Sequence, residues 1–341
     1  MKEPIKVGVI GLGRMGQRHC RVFSGLRNAR LTGVCDVAAS QGEQVARQYQ
    51  VPFYANADDL LQQVDAVSLV TPTPAHFELA LRCLERGVHV LIEKPITETV
   101  GQALQLAQAA DQSGLVVQIG HIERFNPAYQ ELKHVLEGTA MLALHIQRLS
   151  PHDSSNVDVD VILDLMIHDL DLIVDLMGRP PEAVEAFGLE TFGGGVDHAV
   201  AHLTYTAGPL IMLTASRVTE QKVRSIEVTA QDAYLRCDLL NKSIEVHRRT
   251  FGEYLSYNHH GVKYRHEAVV ERIHVPNFEP LLLELQQFVD SVAGVGPRLV
   301  SAADGLRALE LAEAVRRALS RHMVRLAPAS VPAAVVGLEA G

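Results

Sequence analysis

Short apolar runs alternate with amphipathic stretches along the first 120 residues of the chain. The runs are rich in β-branched residues and lie at 6–11, 31–36, 65–71, 88–94 and 115–121. Strands that are apolar on both faces and separated by helices indicate a parallel sheet with helices on both sides. The pattern therefore predicts an α/β domain for this part of the chain.

The alternation of apolar runs and amphipathic stretches ends after residue 121. Between about 183 and 248, strand-like runs follow one another without intervening helices, and their alternation suits an antiparallel or mixed sheet with one covered face. A helical pattern returns at 301–321. We therefore expect an α/β domain at 1–121 and an α+β domain with an open sheet at 122–341, with the 301–321 helix packing back on the first domain.

The charge balance and the cysteines narrow the class of protein. Lys and Arg total 31 against 40 Asp and Glu, a net charge of −9, and no basic run exceeds two residues. This argues against nucleic acid and membrane surfaces as partners, while a small anionic ligand stays possible.

No signal-peptide pattern and no apolar run of membrane-spanning length is present. The four cysteines form no CxxC pair, so free thiols and a cytoplasmic location are predicted.

The segment GLGRMG at 11–16 follows the first predicted strand and opens a helical pattern, which is the context that a GxGxxG motif requires. Gly11 permits the tight turn, Gly13 lets the backbone approach a pyrophosphate, and Gly16 allows the helix to pack closely on the strand. Unpaired N–H groups at the helix N-terminus favour the phosphates. We therefore expect a dinucleotide here; the alternative is a glycine-rich turn without a ligand.

Asp36 ends the second predicted strand, 20 residues after Gly16. A carboxylate at this position accepts hydrogen bonds from the adenosine ribose and repels a 2′-phosphate. No arginine stands at 37–39 to hold such a phosphate. NAD is therefore predicted over NADP, and Arg14, which could reach a phosphate, is the residue that keeps NADP open.

Lys94 belongs to the segment IEKPI at the end of the fifth predicted strand. Ligands of doubly wound sheets bind beyond the carboxyl ends of the strands, so Lys94 is expected to point into the cofactor crevice. Pro95 biases the backbone of Lys94 towards an extended conformation and permits a cis bond. The segment predicts a lysine beside a nicotinamide; the alternative is a surface lysine at a strand end.

Four motifs in this order make the whole chain resemble the Gfo/Idh/MocA family of NAD(P)-dependent sugar oxidoreductases: GLGRMG, TPTPAH at 71–76, EKP at 93–95 and D-x-x-x-H at 164–168. The resemblance implies a Rossmann domain, then an α+β domain whose open sheet commonly forms the subunit interface, hence a homodimer or homotetramer. It also implies that Lys94, Asp164 and His168 are catalytic. The cofactor-binding residues expected from the motifs are Gly11, Gly13, Arg14, Met15, Gly16, Asp36, Thr71, Pro72, His76, Glu93 and Lys94.

Within the family, GHIERFNPAYQ at 120–130 together with LDLMIHDLDL at 163–172 resembles the branch that acts on nucleotide-activated amino sugars. This implies oxidation of a secondary hydroxyl of a UDP-amino sugar to a keto sugar. Arg124 is expected to hold the nucleotide diphosphate with its planar fork, the alternative being an interdomain salt bridge. Asn126 is expected to bind a sugar hydroxyl or amide, or else to cap the following helix.

An α-helix from residue 163 onwards would align Asp164, His168, Asp171 and Asp175 on one face. For Asp175 we prefer a solvated position. The alternative is a cation bound by His168 and the carboxylates. However, one histidine with carboxylates is a poor ligand set for zinc, and hydride transfer to NAD needs no metal. No metal is therefore expected, and Asp164 with His168 is interpreted as a catalytic pair.

Oxidation of a secondary alcohol removes the hydroxyl proton as hydride leaves the carbon. His168 suits the role of base because its unperturbed pKa lies near neutrality, and Asp164 would orient the imidazole. Lys94 would contact the same substrate oxygen, either to stabilise the alkoxide or to act as the base itself. The sequence leaves open whether Lys94 or His168 takes the proton.

Three classes of function compete. The first is an NAD-linked dehydrogenase, of a nucleotide sugar or alternatively of a free sugar or inositol. The second is a glycosidase or lyase that uses tightly bound NAD as a transient oxidant without net redox change. The third is a non-catalytic NAD-binding sensor, which the joint presence of Lys94, Asp164 and His168 disfavours because a sensor needs no acid–base set.

Overall fold

The computed structural model describes residues 3–152, 159–192, 195–250, 267–297 and 300–325. The chain forms two sheets, one of six strands and one of nine. Buried apolar side chains fill the space between each sheet and its helices. The predicted fold class, an α/β domain followed by a domain with a largely antiparallel, mixed sheet, is confirmed.

The first sheet is built from short strands that alternate with helices. Its strands are β1 (Ile5–Ile10), β2 (Ala29–Cys35), β3 (Phe53–Tyr54), β4 (Ala66–Leu69), β5 (His89–Glu93) and β6 (Val117–Gly120). The helices are α1 (Arg14–Gly25), α2 (Ala39–Tyr49), α3 (Ala57–Leu61), α4 (His76–Glu85) and α5 (Val100–Ser113).

All strands of this sheet run parallel, in the order β3-β2-β1-β4-β5-β6. The middle strand β4 is buried along its whole length, because helices cover both faces of the sheet. The strand order reverses between β1 and β4, and the crevice beyond the carboxyl ends at such a reversal is where doubly wound sheets bind ligands.

The helix α6 (Pro127–Leu136) leads into the second sheet. The strands of that sheet are β7 (Met141–Leu149), β8 (Ala183–Glu190), β9 (His198–Thr204), β10 (Leu210–Ser216), β11 (Val223–Ala230), β12 (Ala233–Asp238), β13 (Ser243–Thr250), β14 (Glu267–Ile273) and β15 (Met323–Arg325). Their order is β14-β13-β12-β11-β7-β10-β9-β8-β15. β10 pairs with β7, and β15 with β8, in parallel, while the other pairs are antiparallel.

Two C-terminal helices, α8 (Pro280–Val292) and α9 (Ala302–Leu319), return the chain to the first sheet. Leu309 of α9 packs in the apolar cluster of the first sheet, and Val315 of the same helix packs under the second sheet. The Ile119 N–H donates to the Val300 carbonyl oxygen at 3.1 Å. α9 therefore ties the two sheets together.

The segment that carries the predicted polar face is not one continuous α-helix. A π-helical turn spans Ile162–Met166, and α7 follows at Ile167–Met177. A π-turn closes its hydrogen bonds one residue later than an α-turn, so the angular spacing of side chains changes across it. The prediction that one α-helical face runs from Asp164 to Asp175 is therefore wrong. Turns of this kind occur frequently at functional sites.

Candidate active site

The glycine turn between β1 and α1 has the geometry that a dinucleotide requires. Gly11 has a φ of 92°, and a Cβ there would lie 2.6 Å from the Val70 carbonyl, so only glycine fits. A Cβ on Gly16 would lie 1.9 Å from the Gly11 carbonyl oxygen, so α1 packs directly on the turn. The space over Gly13 is open, and no described side chain caps α1 there. Open space beside free N–H groups fits a pyrophosphate.

Asp36 lies just after β2, next to this turn. Its carboxylate accepts hydrogen bonds from the Leu12 N–H at 2.6 Å and the Ala38 N–H at 2.8 Å. A cavity of about 340 Å³ opens beside it, bordered by Asp36, Thr71 and Pro72. The half-exposed carboxylate therefore stands where the sequence predicts the adenosine ribose.

The other predicted cofactor residues fall into two groups. Arg14 is exposed at the first position of α1, and Met15 is half-buried against the apolar cluster beneath it. His76, in contrast, is 1% exposed, and its ring nitrogens lie 2.9 Å from the carbonyl oxygens of Thr71 and Pro95. His76 therefore joins the loops after β4 and β5.

Lys94 follows β5 and reaches the second domain. The Lys94–Pro95 peptide bond is cis. The Nζ of Lys94 donates to the Asp164 carbonyl oxygen at 2.8 Å and lies 3.8 Å from Asp164 Oδ1. Glu93 accepts from the Lys94 N–H at 3.2 Å and pairs with His19 Nε2, also at 3.2 Å. An ammonium from the first domain and a carboxylate from the second thus meet beyond the carboxyl end of β5.

His168 is half-buried at the start of α7. Its Nδ1 is enclosed and has no hydrogen-bond partner among the described residues. The Asp164 carboxylate faces Lys94, and the described part of the chain contains no hydrogen bond between Asp164 and His168. The expectation that Asp164 orients the imidazole is therefore corrected: Asp164 partners the lysine.

Burial and neighbouring charges change the protonation of both candidate bases. Burial, together with Arg148, lowers the pKa of Lys94, although Asp164 and Glu93 oppose the shift. Burial and the positive charges of Lys94 and Arg148 lower the pKa of His168 well below its usual value. At neutral pH the imidazole is therefore neutral, and Lys94 loses its proton more readily than a solvated lysine does.

Arg124 is held by carboxylates of the second domain. It is 8% exposed, and its Nε and Nη2 donate to Asp171 at 2.8 and 2.6 Å. Its Nη1 lies 3.4 Å from Asp175 and 3.7 Å from Asp304. This is the salt bridge that the sequence offered as the alternative. The expected grip on a diphosphate is corrected, because the planar fork already binds Asp171 through two parallel hydrogen bonds.

Two neighbouring expectations also change. Asp175 is not a solvated surface residue, because it accepts hydrogen bonds from the Tyr129 hydroxyl at 2.5 Å and the Lys133 Nζ at 2.7 Å. Asn126 is 4% exposed, and its Oδ1 accepts from the Ala128 N–H at 3.1 Å, which caps α6. The contact of Asn126 with substrate is therefore corrected to a helix cap.

Two arginines that sequence reasoning missed lie close to His168, since both lower its pKa. Arg148 and Arg224 are directly opposite each other on β7 and β11. Arg148 is paired with Asp169 at 2.6 Å and Glu123 at 2.8 Å. Arg224 has no carboxylate within 4.0 Å in the described part of the chain. A charged residue at an inward position of a predicted strand is the signal that could have found them.

The described ranges contain no group of three or more His, Cys, Asp or Glu side chains placed to hold a metal ion. No helix within these ranges combines the length and apolar character needed to cross a membrane. The four cysteines are buried free thiols.

Comparison with known proteins identifies the family. The model described as "Oxidoreductase family, NAD-binding Rossmann fold" matches residues 5–121, and the GFO/IDH/MocA C-terminal domain matches 147–236. The UDP-N-acetylglucosamine 3-dehydrogenase of Acidithiobacillus ferrooxidans is 36% identical over 321 residues, which are 94% of this chain and 99% of that protein. The chain belongs to the GFO/IDH/MocA oxidoreductase family.

Other known proteins are similar to this chain in sequence or in fold. The solved structure of the same A. ferrooxidans enzyme has a TM-score of 0.82 at 34% identity, over 94% of this chain and 99% of that one. Myo-inositol 2-dehydrogenase of Thermotoga maritima is 27% identical over 92% of this chain and 96% of its own. Scyllo-inositol dehydrogenase from Lactobacillus casei, solved with NAD(H) and scyllo-inositol, shares the fold with a TM-score of 0.78 at 22% identity, over 94% and 98%.

Family membership sets the class of reaction. As a GFO/IDH/MocA oxidoreductase, the protein is an NAD(P)-dependent dehydrogenase that acts on CH–OH groups, and NAD is its cofactor. The open space over Gly13 and the free N–H groups of α1 fit the pyrophosphate of NAD, and the Asp36 carboxylate fits its ribose. Bound NAD supplies the hydride acceptor.

Proposed function

We propose that the protein oxidises the 3-hydroxyl of UDP-N-acetylglucosamine to a ketone, with NAD as the hydride acceptor. The observation that carries the proposal is Lys94 lying 3.8 Å from Asp164 beside His168, in a chain 36% identical to a UDP-N-acetylglucosamine 3-dehydrogenase. The products are a 3-keto nucleotide sugar, NADH and a proton.

The surroundings of Lys94 support it as the base that takes the hydroxyl proton. An effective base has a pKa near the working pH, and burial moves the pKa of Lys94 in that direction. The pKa of His168 lies well below its usual value, so the neutral imidazole positions the hydroxyl through a hydrogen bond instead of holding the proton. Asp164, 3.8 Å from Nζ, stabilises the ammonium that forms.

The surroundings of Arg224 favour a substrate that carries an anionic group. Its guanidinium is buried and donates to the Leu149 carbonyl oxygen at 2.6 Å and the Ser150 hydroxyl at 2.8 Å. Burial and the neighbouring Arg148 lower its pKa to about 10. A buried cation without a paired carboxylate is unfavourable, and a nearby anionic group would offset this. A nucleotide diphosphate is such a group.

A substrate panel tests the proposal. NADH absorbance is followed with UDP-N-acetylglucosamine, free N-acetylglucosamine and myo-inositol at equal concentrations. We expect kcat/KM for the nucleotide sugar to exceed that for the free polyols by at least about a hundredfold, because the site recognises the charged moiety. Activity confined to free sugars or inositols contradicts the substrate, and a cleaved sugar without NADH indicates the glycosidase or lyase reaction instead.

We further propose a cytoplasmic homodimer or homotetramer that associates through the outer face of the nine-stranded sheet. Phe187 and Leu210 lie on this face and are 52% and 59% exposed. Free thiols suit a reducing compartment. Light scattering should give a mass of at least two chains, and the Phe187→Glu variant should lower it; a wild-type monomer contradicts the proposal.

A further inference from the structure

His19 is a buried histidine that the proposed mechanism does not use. It lies on α1, one turn after Gly16, and it is 0% exposed. Its Nδ1 lies 2.8 Å from the hydroxyl oxygen of Ser68 on β4, a residue that is also 0% exposed. Its Nε2 lies 3.2 Å from Glu93 Oε1. A buried polar ring is unfavourable unless its nitrogens have partners, and here each nitrogen faces one oxygen.

The two oxygens indicate where the ring carries its proton. A carboxylate oxygen only accepts hydrogen bonds, whereas a serine hydroxyl can donate or accept. With the proton on Nε2, a neutral imidazole donates to Glu93, and Nδ1 accepts from the Ser68 O–H. With the proton on Nδ1 instead, the lone pair of Nε2 would face the carboxylate at 3.2 Å. The surroundings therefore favour a proton on Nε2, directed at Glu93.

Glu93 is confined on three sides. Its Oε1 faces His19, and its Oε2 accepts from the Lys94 N–H at 3.2 Å. A Cβ on Gly120, at the end of β6, would lie 3.1 Å from Glu93 Cδ, so this strand leaves the carboxylate little room to move. Burial alone would raise the pKa of Glu93, but its contacts with His19 and Lys94 outweigh this effect and lower the pKa. Glu93 is therefore a carboxylate held between α1 and the backbone of Lys94.

The contacts connect the helix of the glycine turn to the proposed base. His19 belongs to α1, and Glu93 links its imidazole to the Lys94 N–H. On the other side of the lysine, the Pro95 carbonyl oxygen lies 2.9 Å from His76 Nδ1. The backbone around Lys94 is therefore anchored on both sides by a buried histidine, so a shift of Glu93 would displace the lysine.

We propose that His19 positions Lys94 through Glu93: the imidazole fixes the carboxylate, and the carboxylate fixes the backbone that presents the lysine to the substrate. This rests on the proposed function, in which Lys94 takes the hydroxyl proton. His19 acts through Glu93 and is a positioning residue. A displacement of about 1 Å at a reacting group can lower a rate about a hundredfold, so loss of the His19–Glu93 contact should lower kcat.

Two substitutions at position 19 separate the two contacts of the ring. The amide nitrogen of Gln lies near the place of Nε2 and can donate to Glu93, whereas Asn is shorter and reaches only the place of Nδ1 beside Ser68. We expect His19→Asn to lower kcat by about 10- to 100-fold and His19→Gln to keep at least about a third of it. KM for the sugar and Kd for NAD should stay within about threefold in both, because the loss is confined to the transition state.

Thermal unfolding checks that both variants are folded. A merely structural role of His19 would lower Tm in both variants without a difference in kcat between them. Equal kcat in His19→Asn and His19→Gln therefore overturns the inference. Weaker NAD binding in His19→Asn without loss of kcat also overturns it, because the role of His19 would then lie in the glycine turn.

A double substitution tests whether His19 acts through Glu93. Glu93→Gln keeps the shape of the side chain and removes its charge. If the imidazole acts only through this carboxylate, adding His19→Asn to Glu93→Gln should lower kcat no further. Losses in kcat that multiply in the double variant overturn the inference.

A neutron structure of the wild-type protein with NAD gives a readout that needs no variant and no sugar. It should show the hydrogen on His19 Nε2, directed at Glu93, and an unprotonated Nε2 overturns the inference. The kinetic result is separable from the proposed function, because the variants are compared on whichever sugar the wild type oxidises. Inactivity towards UDP-N-acetylglucosamine refutes the substrate, and a fully active Lys94→Met refutes the base. An inactive Lys94→Met with a fully active His19→Asn refutes the role of His19 alone.

Discussion

At the scale of single residues, burial shifts two pKa values in the same direction with opposite consequences. The lowered pKa of Lys94 lies closer to neutral pH, so the amine exchanges its proton more readily. The lowered pKa of His168 lies further from neutral pH, so the imidazole stays uncharged. Asp164 contacts the lysine, which fits a lysine that becomes positively charged during the reaction.

Substitution of the two candidate bases should separate their roles. Lys94→Met should lower kcat by about 100- to 10,000-fold, because the proton acceptor is lost. His168→Gln should lower kcat less, because the amide keeps a neutral hydrogen bond. In the wild type, kcat/KM should rise with pH, with its midpoint below the usual lysine pKa of 10.5. NADH formation measures activity, and NAD titration checks that binding is unchanged. Higher activity of Lys94→Met than of His168→Gln reverses the assignment.

Arg224→Gln should raise KM for UDP-N-acetylglucosamine by about 10- to 100-fold, because a charge-assisted hydrogen bond to the diphosphate is lost. NAD affinity should stay unchanged. The control is Arg236→Gln, on the neighbouring strand β12, whose side chain is 63% exposed. An unchanged KM in Arg224→Gln would place the diphosphate elsewhere.

Glu284→Gln should change how stability depends on pH. The pKa of Glu284 is raised in the folded protein, so its contribution to stability is complete below the unfolded value of 4.5 and is lost as pH rises towards the folded pKa. The cofactor-free variant should therefore match the wild type at low pH and exceed its Tm increasingly as pH rises. Thermal unfolding across this range measures the difference; a constant difference in Tm would contradict the raised pKa.

At the scale of elements, the glycine turn and the strand end at Lys94 could be predicted from the sequence because their geometry is local. Contacts within the strand–turn–helix unit require glycine at positions 11 and 16, so the motif alone identifies both residues. The π-turn at Ile162–Met166 was missed because an α-helical period was assumed across it. β15 has only three residues, too few for alternation to be visible.

Two alanine substitutions should separate cofactor binding from packing. Gly13→Ala places its Cβ in open space at a φ of −61°, so the fold should remain stable while NAD binding weakens by at least about tenfold. Gly16→Ala drives its Cβ onto the Gly11 carbonyl oxygen and should lower Tm. Thermal unfolding and NAD titration of both variants measure these effects. Normal NAD affinity in Gly13→Ala would move the pyrophosphate away from the turn.

At the scale of the whole molecule, the site forms where two sheets meet. α9 packs on both, and Arg124 binds Asp171 across 47 residues of sequence. The sequence could predict that Arg124 faces the interdomain region, but the choice between a carboxylate and a phosphate depends on which side chains the tertiary packing brings there. Arg224 and Glu284 were missed for the same reason. In the described structure Arg224 has no carboxylate within 4.0 Å, and the carboxyl of Glu284 has no hydrogen-bond partner.

The most direct measurement is a crystal structure of the protein with NAD and UDP-N-acetylglucosamine. We expect Lys94 Nζ and a ring nitrogen of His168 both to lie within about 3.2 Å of the sugar 3-oxygen, with the adjacent carbon facing the nicotinamide C4. A complex in which the 3-hydroxyl is remote from both side chains, or in which another hydroxyl occupies this position, would contradict the proposed oxidation at the 3-hydroxyl.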